Sequence, residues 1–332
     1  MPRYSRRQVL AVPVTLITGT LLNACGAKTK PGKTSGAQGA SAGDGGADEL
    51  FAETASFETL VGIPQRIMVG ITTSDGRVLH GGAVRFTIRP VNPTGADADA
   101  QPIEVEAAFL PVPRSATPPV SAAIGGASEG IGVYAADGVI LPTTGFWTIS
   151  VDVPLKKAQS LETAVEVLKT PRVPAVGEKA PPTDNATAAN ATVPIEAIDS
   201  RSGRAGLGNE LADPLLHRES VRAVLAAQRP CVVVVSTPTF CTSKFCGPIT
   251  DVVNDLAVEA KAAGKDTGFV HLEVWRSFDR NEVNASAVEW ISARNAAGNE
   301  PWVFLVDRRG FIVRRWDNLV GEAELRAAVA SL

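Results

Sequence analysis

Between residues 50 and 170 apolar and polar side chains alternate one by one, a period that extended strands turn into one buried and one solvated face. Val84, Phe86 and Ile88 alternate with Arg85, Thr87 and Arg89. Ile103 and Val105 alternate with Glu104 and Glu106, and Trp147, Ile149, Val151 and Val153 with Thr148, Ser150 and Asp152. Gly and Pro punctuate the intervals, and Asp75-Gly76 is a hairpin-type turn. The spacing predicts an all-β sandwich of antiparallel strands. Trp147 reads as a core-filling aromatic and His80, in Leu79-His80-Gly81-Gly82, as an exposed loop histidine. No catalytic constellation occurs in this stretch.

The pattern changes beyond it. Residues 171–214, rich in Pro, Ala, Thr and Asn at their start, read as a linker; the Asn-Ala-Thr triplets at Asn185 and Asn190 read as accidents of composition. A helix pattern over Leu215 to Ala227 leads to a buried-type strand, Cys231 to Val235. The segment Cys241-Thr-Ser-Lys-Phe-Cys246-Gly-Pro248 then runs into a helix with Ile249, Val252, Val253, Leu256, Ala257 and Ala260 on one face. Pro248 suits its first turn. A strand at Phe269 to Val274, a polar helical stretch from Glu282 to Asn295, and Glu300-Pro301 follow. After them come a strand at Trp302 to Val306, a turn at Asp307 to Gly310, a strand at Phe311 to Trp316 and a last helix from Glu322. This order predicts an α/β domain over 215–332.

The first residues read as an export signal. Arg3, Arg6 and Arg7 form a basic head, Val9 to Leu22 an apolar run, and Leu22-Asn23-Ala24-Cys25 closes it. The run is too short to span a bilayer comfortably. Its ending resembles the bacterial lipobox, and Ser5-Arg6-Arg7-Gln8-Val9-Leu10 resembles a twin-arginine export motif. The resemblance implies a signal peptide over 1–24, lipid on Cys25, and anchoring at the extracytoplasmic face of the cell membrane. Residues 25–49, largely Gly, Ala, Ser and Lys, read as a flexible tether reaching roughly 25–30 Å.

The net charge is −3, and because residues 1–24 carry three arginines and no acid, the remainder holds −6. Without basic stripes or interleaved aromatics, the chain is not predicted to bind nucleic acid. With Cys25 assigned to lipid, three cysteines remain, so at least one is outside an internal pair. About ten mostly extended residues separate Cys231 from Cys241, on the order of 25–30 Å, so these two cannot pair and Cys231 reads as a buried free thiol.

Cys241 and Cys246 lie where a strand hands over to a helix, and the free amides of a helix N-terminus favour a thiolate, as does the neighbouring Lys244. On a regular helix, positions i and i+5 point ~140° apart, so a bond between them requires the loop to stay irregular until about Cys246. As a staple, a six-residue loop contributes only about 2 kcal/mol. Three readings are open: thiol-disulfide exchange, a structural disulfide, and copper(I) delivery, which a cysteine pair favours.

The order of elements, the cysteines between first strand and helix, and the proline opening the third strand together resemble the thioredoxin fold. Gly132-Val-Tyr134 and Gly145-Phe-Trp147-Thr-Ile149 resemble the last hairpin of immunoglobulin-like modules on exported bacterial proteins. Together the chain resembles an actinobacterial-type lipoprotein in which an immunoglobulin-like β-sandwich precedes a thioredoxin-like domain. The resemblance implies that Cys241 attacks, Cys246 resolves, and Pro301 is the cis proline that positions a substrate peptide, with exported protein thiols or disulfides as partners and no cofactor. Phe240 replaces the usual tryptophan, Val235 stands where many thioredoxins keep a buried carboxylate, and the spacing is C-x4-C. A related branch, the copper chaperones of cytochrome oxidase assembly, uses C-x3-C with a distant histidine. His217 and His271 are not in that histidine context, and His271 reads as a hydrogen-bonded core or strand-end histidine. A non-catalytic scaffold is the remaining alternative.

Overall fold

The computed structural model describes residues 49–91, 101–126, 130–189, 192–203, 210–241, 243–291 and 299–332. The signal peptide, Cys25, Asn190 and all of the tether but Glu49 lie outside them. Residues from Ala47 to Leu332 form one compact unit. It is rich in β-structure and contains several sheets. No helix among the described residues is long and apolar enough to cross a membrane.

Ten strands form the first sheet: β1 (Leu50–Thr54), β2 (Thr59–Leu60), β3 (Gln65–Thr73), β4 (Val78–His80), β5 (Ala83–Pro90), β6 (Ile103–Pro111), β7 (Ala123–Gly125), β8 (Gly132–Val139), β9 (Gly145–Val153) and β10 (Gln159–Leu168). Their order is β2-β10-β9-β5-β6-β8-β3-β4-β7, with β1 beside β3. Strand β6 pairs with β5 on one side and β8 on the other, so the hydrogen bonding runs as one continuous sheet rather than two separate ones. The sheet curls around one core, to which Ile67, Phe86, Tyr134, Trp147, Ile149 and Val165 contribute from distant positions along the path. The alternating residues Trp147, Ile149, Val151 and Val153 all point inward, as the period demands.

His80 departs from the sequence reading. It is buried in β4, which pairs with β7, and its ring meets Phe109 edge-on at 6.3 Å. The turn that follows needs Gly81 and Gly82 at φ values of 75° and 58°, and a Cβ at either would collide with Pro119 or Ala122. The glycines therefore end a buried strand instead of marking an exposed loop.

The second sheet has four strands, ordered β12 (Gly268–Glu273), β11 (Cys231–Ser236), β15 (Trp302–Val306), β16 (Ile312–Asp317). The pair β11/β12 is parallel; β11/β15 and β15/β16 are antiparallel. Every residue of β11, β12 and β15 is buried, because helices cover both faces. Helices α2 (Cys246–Ala262) and α4 (Glu322–Ala330) pack on Val232, Val234 and Val303. On the other face α1 (Val221–Ala226) and α3 (Ala285–Ile291) pack on Val233, Val235 and Phe304. A short ribbon of β13 (Trp275–Ser277) and β14 (Glu282–Val283) stands beside the sheet.

Two features lie beyond what periodicity reveals. Met68, Val112 and Val133 of the first sheet and its loops enter the same core as α2 and α4, and Arg66 pairs with Glu324 at 2.9 Å. The stretch expected to act as a linker is also largely packed. Val173 and Ala180 join the core under α1 and α3, and Lys179 bridges Phe311. The Asn185 side-chain oxygen accepts the Val221 N–H at 2.9 Å, and Trp290 donates to the Thr183 hydroxyl at 2.9 Å. Such a segment buries side chains one at a time against a finished surface, so it needs no period of its own.

Candidate functional site

Strand β11 ends at Ser236, and residues 237–241 and 243–245 are irregular before α2 begins at Cys246. The Cys241 N–H is anchored to the Thr237 carbonyl at 3.1 Å, and Lys244 takes a left-handed φ of 62°, which turns the chain into the helix. This irregularity brings the two Cα atoms to 6.0 Å, and the sulfurs are joined as a disulfide. The two ends differ in environment. Cys246 is wholly buried, whereas Cys241 is part-exposed, its sulfur 3.2 Å from the Ser243 hydroxyl. The N-cap residue of α2, Phe245, makes no side-chain capping hydrogen bond.

Beside Cys241 the Phe240 ring stacks on Phe278 at 4.1 Å, with Trp275 edge-on to Phe278 at 5.3 Å. These aromatics border a cavity of about 140 Å³ rimmed by Arg276 and Arg280.

Pro301 follows a cis peptide bond from Glu300 and is buried. Its neighbour Trp302 pairs with Val235, so Pro301 lies at the end of the sheet from which the cysteine loop departs. Asn318 donates its N–H to the Pro301 carbonyl at 2.8 Å, and its side chain donates to the Ala55 carbonyl at 2.8 Å, tying this edge to the first sheet.

Val235 is an apolar core residue, yet two buried carboxylates flank the loop that follows it. Burial, and then the charge of Glu273, pushes the Glu300 carboxyl up to about 8, although the Thr237 N–H donates to it. Its second oxygen, Oε2, has no hydrogen-bond partner among the described residues. Glu273 is likewise raised by burial while accepting from the Ser200 N–H at 2.8 Å. A glutamate inside the apolar strand Phe269-Val-His-Leu-Glu273 was a sequence signal; Glu300 carried none beyond its place before Pro301. Cys231 is a buried free thiol, pushed up to about 12 by desolvation.

His271 and His217 are both fully buried and face Asp199, a residue of the stretch read as linker. Among the described residues these three are the group whose ligand atoms lie close enough to share a metal ion. The Ser236 hydroxyl connects His271 (3.0 Å) to the Thr250 hydroxyl (2.7 Å), which donates to the Cys246 carbonyl (2.8 Å).

No protein family and no curated protein matches the chain. Among solved structures it is similar to BslA, a bacterial hydrophobin, at 16% identity over 39% of this chain and 99% of that one, with a TM-score of 0.21. At that score the likeness bears on neither the fold nor the function of this chain.

Proposed function

We propose that the chain is a lipid-anchored extracytoplasmic protein whose α/β half, thioredoxin-like in its order of strands and helices, exchanges disulfides through Cys241 and Cys246. The observation that carries this reading is the asymmetry of the pair at a helix N-terminus. A part-exposed cysteine is bonded to a wholly buried one, so an incoming thiolate reaches Cys241 more readily than Cys246.

In the oxidised protein, a substrate thiolate attacks the Cys241 sulfur, the Cys241–Cys246 bond breaks, and Cys246 leaves as a thiolate that takes up a proton. A second substrate thiolate then attacks the mixed disulfide and releases Cys241. Two electrons pass from the substrate dithiol to the protein; a reductase runs the same steps in reverse. Pro301 borders the site where the substrate chain would lie, and the stacked Phe240 and Phe278 offer it an apolar edge. The β-rich half, immunoglobulin-like in the sequence reading, serves as a platform for this site, and lipid on Cys25 holds it at the membrane.

A Cys246→Ser variant is expected to trap mixed disulfides with cell-envelope proteins, visible as reducible adducts that disappear when Cys241 is also replaced. An extract without such adducts, from cells that express the folded variant, counts against the reading. Cys25→Ser is expected to move the protein from the membrane fraction to the soluble one; unchanged membrane retention would sink the anchor.

A further inference from the structure

We propose that Asp199, His217 and His271 bind one divalent transition-metal ion of the zinc type, at a site separate from the cysteine pair. The three residues come from different elements: Asp199 from the packed strap that was read as a linker, His217 from the end of a 3-10 turn, and His271 from the middle of β12. All three side chains are fully buried.

The distances suit an ion. Asp199 Oδ2 lies 3.3 Å from His217 Nε2 and 3.4 Å from His271 Nδ1. Two ligands each about 2.0–2.1 Å from a tetrahedral ion are themselves about 3.3–3.4 Å apart.

The hydrogen bonding of His271 points the same way. Its Nε2 faces both the hydroxyl and the carbonyl oxygen of Ser236, at 3.0 and 3.1 Å. In the neutral imidazole, donating the one ring N–H to that backbone carbonyl leaves Nδ1 as a lone pair. Nδ1 is buried and meets no hydrogen-bond geometry with any described residue, although a carboxylate oxygen is 3.4 Å away. A lone pair facing a carboxylate repels it, and a cation between them turns that repulsion into two bonds. A ring nitrogen held by a backbone carbonyl is also the usual orienting contact of a histidine that ligates metal.

Charge supports a divalent ion. Arg201 grips Asp199 through Nε to Oδ1 at 3.0 Å and Nη2 to Oδ2 at 2.7 Å, fixing the carboxylate. The same guanidinium pairs with Asp213 and, at 2.9 Å, with Asp251. Three carboxylates around one guanidinium leave two negative charges, while Arg114 pairs with both Asp251 and Asp255 and so brings as much acid as base. A cavity of about 370 Å³, lined by Asn185, Ile198, Glu273 and Asn284, extends as far as His271. Two imidazoles and a carboxylate select zinc-like ions, whereas copper(I) prefers the thiolates.

The test uses the purified full chain with its disulfide closed, stripped by chelator and then dialysed against zinc or cobalt(II). One zinc per chain is expected by elemental analysis. Cobalt(II) is expected to show visible bands of a nitrogen and oxygen site without thiolate charge transfer, a readout on the unaltered protein that needs no variant to fold. His217→Gln, checked by circular dichroism, is expected to weaken zinc binding at least about tenfold. A Cys241→Ser/Cys246→Ser double variant is expected to leave it unchanged. Failure of the stripped chain to take up zinc at micromolar concentration overturns the proposal, and so does zinc that is lost in the cysteine variant but kept in His217→Gln. The first of these results would identify His271 as an imidazolium paired directly with Asp199.

Discussion

Glu58→Ala is expected to destabilise the compact unit by ~3–5 kcal/mol, the range for removing one partner of a buried ion pair. The Arg315 and Glu58 side chains are 13% and 3% exposed, and the two are directly paired. The other Glu58 oxygen accepts the N–H groups of Arg172 (2.6 Å) and Val173 (3.3 Å), while Arg315 also donates to the Pro174 carbonyl (3.1 Å). Its guanidinium lies 5.3 Å from the Trp302 ring. One carboxylate therefore joins the first sheet, the strap and β16. Its loss strands a buried guanidinium and two backbone donors together. A Glu58→Gln/Arg315→Met pair is expected to recover part of the loss, because the uncompensated charge, more than the missing attraction, sets the cost. Urea unfolding midpoints measure both; a single Glu58→Ala change below about 1 kcal/mol would show that the two halves are not fastened here.

Glu300→Gln is expected to change the pH dependence of stability more than its value at acid pH. The folded-state carboxyl titrates at about 8, above its ordinary 4.5, because burial and Glu273 oppose its charge. The folded chain thus holds this proton more tightly than the unfolded one, and stability falls as pH rises from about 4.5 to about 8, then levels. Glutamine carries no charge to bury. The variant is expected to match the parent near pH 4.5 and to exceed it by ~3–5 kcal/mol at pH 9, since each tenfold difference in proton affinity between the folded and unfolded chain is worth about 1.4 kcal/mol. Glutamine also keeps an oxygen for the Thr237 N–H. Urea midpoints at pH 4.5 and 9 provide the check, and parallel pH profiles for the two proteins would refute it. Because Glu300 precedes Pro301 and touches the first residue of the cysteine loop, the same titration changes the charge beside the proposed exchange site near neutral pH.

Local order was readable where one physical rule operates on a continuous run. Alternation in Val84 to Arg89 and Trp147 to Val153 placed β5 and β9, and the apolar runs at Cys231 and Trp302 placed β11 and β15 to within a residue or two. Asp75-Gly76 marked a true turn, with Gly76 at φ 81°. The cysteine loop was legible to the extent that a bond between Cys241 and Cys246 demanded an irregular segment up to Cys246, and α2 begins there.

By itself, then, the sequence determined the runs that carry a clear period, their order in the chain, and the strand-to-helix setting of the two cysteines, because backbone period and turn chemistry act between near neighbours. Leu215 to Ala227 and Glu282 to Asn295, read as single helices, instead hold a 3-10 turn before α1 and the strand β14 before α3. Tertiary structure alone decided the rest. It joined ten strands into one curled sheet, drew Met68 and Val133 into the core of α2, and packed a period-free strap onto a second sheet. It also brought Asp199, His217 and His271 together, and set Glu273 and Glu300 beside the cysteine loop. Those residues are up to about a hundred positions apart, and the free energy of their contacts depends on burial and on partners that no local pattern encodes.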